Sequence, residues 1–251
     1  MTDPHTVQWR ALRDFLRWLG GGSEGARGWE APGVAAAIVP AVPERSIPNS
    51  VAYEDGEALV ATYDRLAAAY EGAAIRTWTV WTPDRDQETI EFLTARGHVF
   101  DGEPVAMTLD LERFAGHPGD LDWDADASFA ELGSVNDRAY GTPAEEGLAP
   151  ALAGAPDGLP IRLYRARADG ETASVLAAID HGDDVGIYFV ATPEEHRGAG
   201  LASRLLSAVL IEASERGMRT SSLQASAKGE PIYARLGYES HFRLQLYERR
   251  G

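Results

Sequence analysis

The sequence predicts an α/β protein (α+β, with a mixed sheet), and three observations carry that prediction. Runs of helical period alternate with β-branched and aromatic runs along the chain. The order helix, strand, helix, strand occurs twice, over 57–70, 75–82, 84–96 and 104–111, then over 201–216, 219–226, 229–236 and 241–248. Ala95-Arg96-Gly97-His98 lies 140 residues before Arg235-Leu236-Gly237-Tyr238, which points to a pseudo-repeat. Finally, the apolar run 185–191 passes through a glycine loop straight into an amphipathic helix.

The elements follow in order. Residues 7–19 place Leu12, Phe15, Leu16 and Leu19 at helical spacing. GGGSEGARG at 20–28 reads as a flexible connector. VAAAIVP at 34–40 is a short apolar run, and the helix 57–70 puts Leu59, Val60, Tyr63, Leu66 and Ala67 on one face. The strand 75–83 ends on Pro83 and carries Trp78 and Trp81, both read in phase with it and at least one as core. The helix 84–97 opens with acids and closes on Arg-Gly, the polarity its dipole favours. PVAMTLDL at 104–111 is strand-like. Residues 114–126 read as a junction, dividing the chain into 1–113 and 114–251. Beyond it stand a helix at 128–141 and a Pro/Gly/Ala-rich stretch. A hairpin then crosses Asp169-Gly170, and a buried strand covers 184–193.

Composition narrows the function. The chain has 251 residues, 44% of them hydrophobic, with no cysteine and a net charge of −16. Absent cysteine excludes a disulfide scaffold, a Cys-ligated metal and a Cys nucleophile, and fits a reducing, cytoplasmic setting. The charge argues against nucleic acid and anionic membranes as partners. The six histidines show no metal-ligand spacing, and Asp122-x-Asp124-x-Asp126 lacks the glycine and glutamate of a calcium loop, so no metal is expected. Residues 120–146 hold eight acids against Arg138 alone, an element that would attract a cationic acceptor.

Arg197-Gly198-Ala199-Gly200-Leu201-Ala202 is the segment that carries chemistry. Glycines allow close backbone approach, and the first N–H groups of the following helix have no internal partner, so the loop suits a phosphate. No Gly-Lys-Ser/Thr follows, which excludes a P-loop, and Ser203 stands where a dinucleotide fingerprint needs its third glycine.

The segment instead resembles the Gcn5-related N-acetyltransferase (GNAT) family, whose Arg/Gln-x-x-Gly-x-Gly/Ala hallmark is met by Arg197, Gly200 and Ala202. Leu223-Gln224-Ala225-Ser226 followed by Glu230 to Tyr238 resembles the family's strand–helix–Tyr-x-x-x-Gly-aromatic close. The resemblance covers about 128–250 and implies a GNAT fold in the C-terminal half, with a GNAT-like pseudo-repeat in the N-terminal half. It implies acetyl transfer from acetyl-CoA to an amine of a small-molecule acceptor. A non-catalytic acyl-CoA-binding sensor or assembly protein stays open, as does a homodimer. By the same resemblance, the backbone of Val190, Ala191 and Thr192 would hold the pantetheine arm. The amides of Gly198, Ala199, Gly200, Leu201, Ala202 and Ser203 would hold the pyrophosphate, with Arg197 adding charge. Tyr233 would be the general acid, with Tyr238 read as core; Glu145 and Glu146 would lie on the acceptor side. The strand 185–191 contains no carboxylate, so no base is assigned. The N-terminal counterpart, Val51 to Glu57, lacks the hallmark and carries three acids, so that half is expected to bind no CoA and to complete or shield the acceptor site.

Overall fold

The computed structural model describes residues 3–143 and 147–251. The N-terminal half runs α1 (Pro4–Gly21), β1 (Arg27–Ala31), β2 (Val34–Ile38), β3 (Ser50–Tyr53), α2 (Gly56–Gly72), β4 (Thr77–Pro83), α3 (Gln87–Ala95), β5 (His98–Gly102) and β6 (Val105–Asp110). After the short strand β7 (Trp123–Asp124), the C-terminal half repeats the order. It has α4 (Phe129–Tyr140), β8 (Ile161–Ala168), β9 (Glu171–His181), β10 (Asp184–Ala191), α5 (Leu201–Glu215), β11 (Thr220–Ala225), α6 (Glu230–Arg235) and β12 (Glu239–Arg250). In both halves three strands pair antiparallel and a helix then crosses to a parallel fourth, β3 to β4 and β10 to β11.

The two halves share one sheet by exchanging their last strands. β6 leaves its own half and lies between β11 and the start of β12, with Ala225 opposite Val105 and Glu239 opposite Thr108. The end of β12 returns the exchange, lying between β4 and β5 with Leu246 opposite Trp81 and Gly102. The strands change sides where Leu244 N donates to Pro104 O at 2.8 Å.

Alternate strand residues feed opposite faces of this sheet. Ala35 and Ala37 of β2, with Val175 and Ile179 of β9, meet Leu12, Phe15, Leu16 and Leu19 of α1 and Leu132 of α4. On the other face, Val34, Ile38 and Val80 meet Leu59, Leu66 and Tyr70 of α2, while Val185, Ile187 and Leu223 meet Leu205, Val209 and Leu210 of α5. The hairpin turn at Asp169-Gly170 has both residues at positive φ, 53° and 83°, as a two-residue turn requires.

Three sequence expectations are corrected. Residues 20–28 are no flexible connector: α1 extends to Gly21, β1 begins at Arg27, and a Cβ on Gly20 would lie 2.5 Å from Gly28 N. Val60 is 46% exposed, because the buried stripe of α2 is Leu59, Tyr63, Leu66 and Tyr70. Trp78 and Trp81 are three residues apart and so face opposite sides of β4. Trp78 stacks on Tyr70 at 4.6 Å, and Trp81 enters the core under α1.

Candidate active site

β10 and β11 run in register only over Asp184–Gly186 and Thr220–Ser222, and separate beyond. In the same stretch β10 slips against β9 between Tyr188 and Ala191, and Phe189 turns to φ 51°. The split opens a cleft of about 510 Å³. Ile187 to Val190 line one wall, and Leu223, Gln224, Ser226 and Tyr233 line the other. Phe15, Trp81, Arg45 and Glu103 come from the N-terminal half, and Asn136 and Tyr140 from α4. The N-terminal half therefore completes this cleft.

Tyr233 sits on the single short helix α6, and its ring rests against Gly229, where a Cβ would be 2.9 Å from Cε2. Burial, with Tyr140 adding to it, raises the Tyr233 phenol above its usual value. Among the described residues its hydroxyl has no hydrogen-bond partner. Tyr238 is buried in the core, with its hydroxyl 2.7 Å from Ser221 Oγ.

The glycine loop follows at the end of β10. Gly198 and Gly200 both take positive φ, 83° and 72°, and Gly200 forms the N-cap of α5 without any side-chain cap. The first amides of α5 are thus left for an anion, and residues 197–200 are exposed. This open cradle fits a pyrophosphate. The N-terminal counterpart does not: Asp55 caps α2 with its own carboxylate on Ala58 N, at 2.8 Å.

Some expected cofactor contacts are already engaged. The Arg197 guanidinium donates to Thr192 O and Ala139 O, tying the loop to the end of α4. Ser174 Oγ donates to Ala191 O at 3.3 Å and bonds the Thr192 hydroxyl. Val190 remains half-buried on the cleft wall, outside the paired register of β9. Ser203 lies in the first turn of α5, and its carbonyl accepts from Ser207 Oγ.

The acids of 120–146 are mostly committed within the fold. Asp120 pairs with Arg204, Asp122 with Arg167, Asp124 with Arg165 and Arg167, and Glu131 with Arg165. Asp137 accepts from the amides of Leu148 and Ala149. Burial acts to raise the Glu131 carboxyl, but bonds from Ser128, Arg165 and Thr172 prevail and bring it to about 2. Glu145 and Glu146 lie outside the described residues. Asp184 does not face the cleft either. It is buried, accepts from Thr220 and Ser222 hydroxyls at 2.7 and 2.6 Å, and is raised by burial.

A family model described as Acetyltransferase (GNAT) domain matches residues 161–250. Residues 161–250 are a GNAT domain. No curated protein matches the chain. Among solved structures, a GCN5-related N-acetyltransferase from Kribbella flavida aligns at TM-score 0.69 and 15% identity, covering 100% of this chain and 97% of that one. A tandem GNAT protein from the clavulanic acid biosynthesis pathway aligns at 0.61 and 15% identity, covering 96% and 87%. A GCN5-related N-acetyltransferase from Sphaerobacter thermophilus aligns at 0.57 and 14%, covering 87% and 80%. At such identities the likeness is one of fold, and it extends the GNAT architecture over both halves. Among the described residues, no helix is long and apolar enough to cross a membrane. The sequence reading named Phe15 only within an apolar helix stripe and did not single out Asn136, Glu103 or Arg243, yet all four line the cleft.

Proposed function

We propose that the protein transfers an acetyl group from acetyl-CoA to the amine of a small-molecule acceptor, with one cofactor site per chain, in a cytoplasmic setting. One observation supports this most. The β10–β11 split and a phenol without a partner share one cleft, and the uncapped glycine-led helix α5 is the next helix after β10, whose residues line that cleft. The donor supplies a thioester whose carbonyl carbon accepts the nitrogen of the neutral amine as the C–S bond breaks; CoA leaves as its thiolate and the amine's proton passes to solvent. Val190 would offer backbone bonds to the pantetheine arm, and residues 198–203 would hold the pyrophosphate, with Arg197 fastening the loop.

Tyr233 would serve the leaving sulfur. A thiolate resembling that of cysteine has a pKa of about 8.5, well below a phenol raised above about 10. The phenol therefore keeps its proton throughout the working range. It stabilises the sulfur by a hydrogen bond as negative charge builds there.

Tyr233→Phe tests the assignment. A hydrogen bond to a charged group contributes about 1.5–3 kcal/mol, so kcat should fall by roughly ten- to a hundredfold. CoA affinity should stay within about twofold, and so should stability, because the lost hydroxyl leaves no partner unsatisfied. Undiminished kcat would remove Tyr233 from the chemistry. Binding of CoA without turnover on any amine would favour the sensor.

A further inference from the structure

Asn136 on α4 is 3% exposed, yet its carboxamide has no hydrogen-bond partner among the described residues. The fold does not neglect buried amides elsewhere. Asn49 accepts from Val39 N at 2.7 Å and donates to Val42 O and Arg45 O at 2.9 and 3.0 Å. Gln8 donates to Met107 O and Leu223 O and accepts from Gln224 Nε2. Nor is the Asn136 amide sealed in the core, as the indole nitrogen of Trp81 and the hydroxyl of Thr79 are. It opens onto the cleft. Burying an amide without a partner costs about 1–3 kcal/mol. Such a group persists most readily where a ligand completes it.

The rest of the cleft narrows the ligand. Phe15, Trp81 and Phe189 supply aromatic walls to the cleft that Asn136 also lines. Arg45 and Arg243 face the cleft against the single described carboxylate, Glu103, which lies 3.8 Å from Arg243. A polycation would find little to pair with there. A carboxamide offers one donor and one acceptor in a plane, and another amide returns both.

We propose that Asn136 is the specificity-determining residue of the acceptor site. It would bind, by paired amide hydrogen bonds, a primary amine that carries a carboxamide and an apolar or aromatic body. The proposal rests on the acetyl-transfer reading for the use of the amine, but not for its binding.

Calorimetric titration in saturating CoA separates the two. The probes are phenylalaninamide, phenethylamine (the same body without the amide) and spermidine. Wild-type protein should bind phenylalaninamide at least tenfold more tightly than phenethylamine, with spermidine weakest. In Asn136→Leu that ratio should fall to about one, while the melting temperature stays level or rises, since no internal bond is lost. Asn136→Asp should move the preference towards spermidine. An unchanged ratio in Asn136→Leu would overturn the proposal, as would spermidine binding best to wild-type or no amine binding at all. A marked fall in melting temperature would instead assign Asn136 a structural role and overturn it equally. Acetyl-CoA-dependent thiol release is measured in parallel. Binding as expected without release would leave Asn136 in place and refute transfer.

Discussion

Gly200→Glu places a carboxylate at the N-cap of α5, where the structure leaves amides without partners. Two effects are separable in size. Gly200 has φ 72°, a region in which an L-residue costs about 1–2 kcal/mol. Space is not limiting, because a Cβ there would meet nothing nearer than Arg204 Cδ at 4.0 Å. The charge is the larger effect on binding. At an effective dielectric of about 20, like unit charges about 5 Å apart repel by roughly 3 kcal/mol. Since about 1.4 kcal/mol is a factor of ten, CoA affinity should fall by at least two orders of magnitude. Gly200→Ala carries the backbone strain without the charge and should lose less than about tenfold. The assay is isothermal titration with CoA and with acetyl-CoA, on protein shown by circular dichroism to be folded. Both variants should melt a few degrees lower, at about 2–4 °C per kcal/mol for a chain of this length. If Gly200→Glu bound CoA within threefold of wild-type, the loop would not be the pyrophosphate site and the proposed cofactor geometry would fail.

His98 should make stability depend on pH. Its ring is buried between the Tyr63 hydroxyl and the Tyr247 carbonyl, each at 2.9 Å. Burial lowers its pKa to about 4, with the Tyr247 bond opposing and Arg249 assisting. The unfolded chain, with its histidine near 6.5, takes up the proton first, so the contribution is complete above about pH 6.5 and is lost towards pH 4. It amounts to about 3 kcal/mol at most. Urea unfolding at several pH values should show a shallower decline for His98→Asn than for wild-type, and parallel declines would refute the assignment. Gly20→Ala should cost about 1–3 kcal/mol, because its Cβ would meet the backbone at Gly28 N and Arg27 C. CoA affinity should be unaffected, and a silent substitution in thermal melts would show that the α1–β1 corner can relax.

What was legible in the sequence is what local signals encode. The Asp169-Gly170 hairpin, the strand–glycine–helix unit and Tyr233 declare themselves within a few residues of chain. Asn136 does not. A lone asparagine in an amphipathic helix carries no pattern, and its meaning lies in a partner that the tertiary structure withholds. The acids of 120–137 were legible only as charge, for the same reason. Composition shows their charge, but Arg165, Arg167 and Arg204, which pair with four of these six acids, come from β8 and α5. β1 escaped notice because glycines lead into it and its exposed pattern lacks an apolar face. The 140-residue repeat was readable, but not the partner each repeated strand would choose.

That partner choice decides how the chain folds. A C-terminal half cut at residue 114 would lack β6, so β11 would expose one edge of backbone and β12 would lose its neighbour over 239–243. The 244–250 stretch of β12 would in turn have no β4 or β5 to join. The N-terminal half alone would leave β6 without either partner. Unpaired edges of this length are sites of aggregation, and buried backbone groups without partners cost stability one by one. α1 adds a further tie across the halves: Asp14 holds His181 Nδ1 at 2.8 Å, and Ala11 O accepts from the Tyr188 hydroxyl at 2.7 Å. Neither half is then an independent folding unit, although each carries the full run of elements. Denaturant unfolding followed by tryptophan fluorescence and by far-ultraviolet circular dichroism should give one coincident transition. The fragment 114–251 should be recovered only as aggregate. Two resolved transitions, or a soluble fragment that binds CoA, would mean that the exchanged strands are ornament to two self-sufficient domains, and that the N-terminal wall of the cleft is dispensable to the cofactor site.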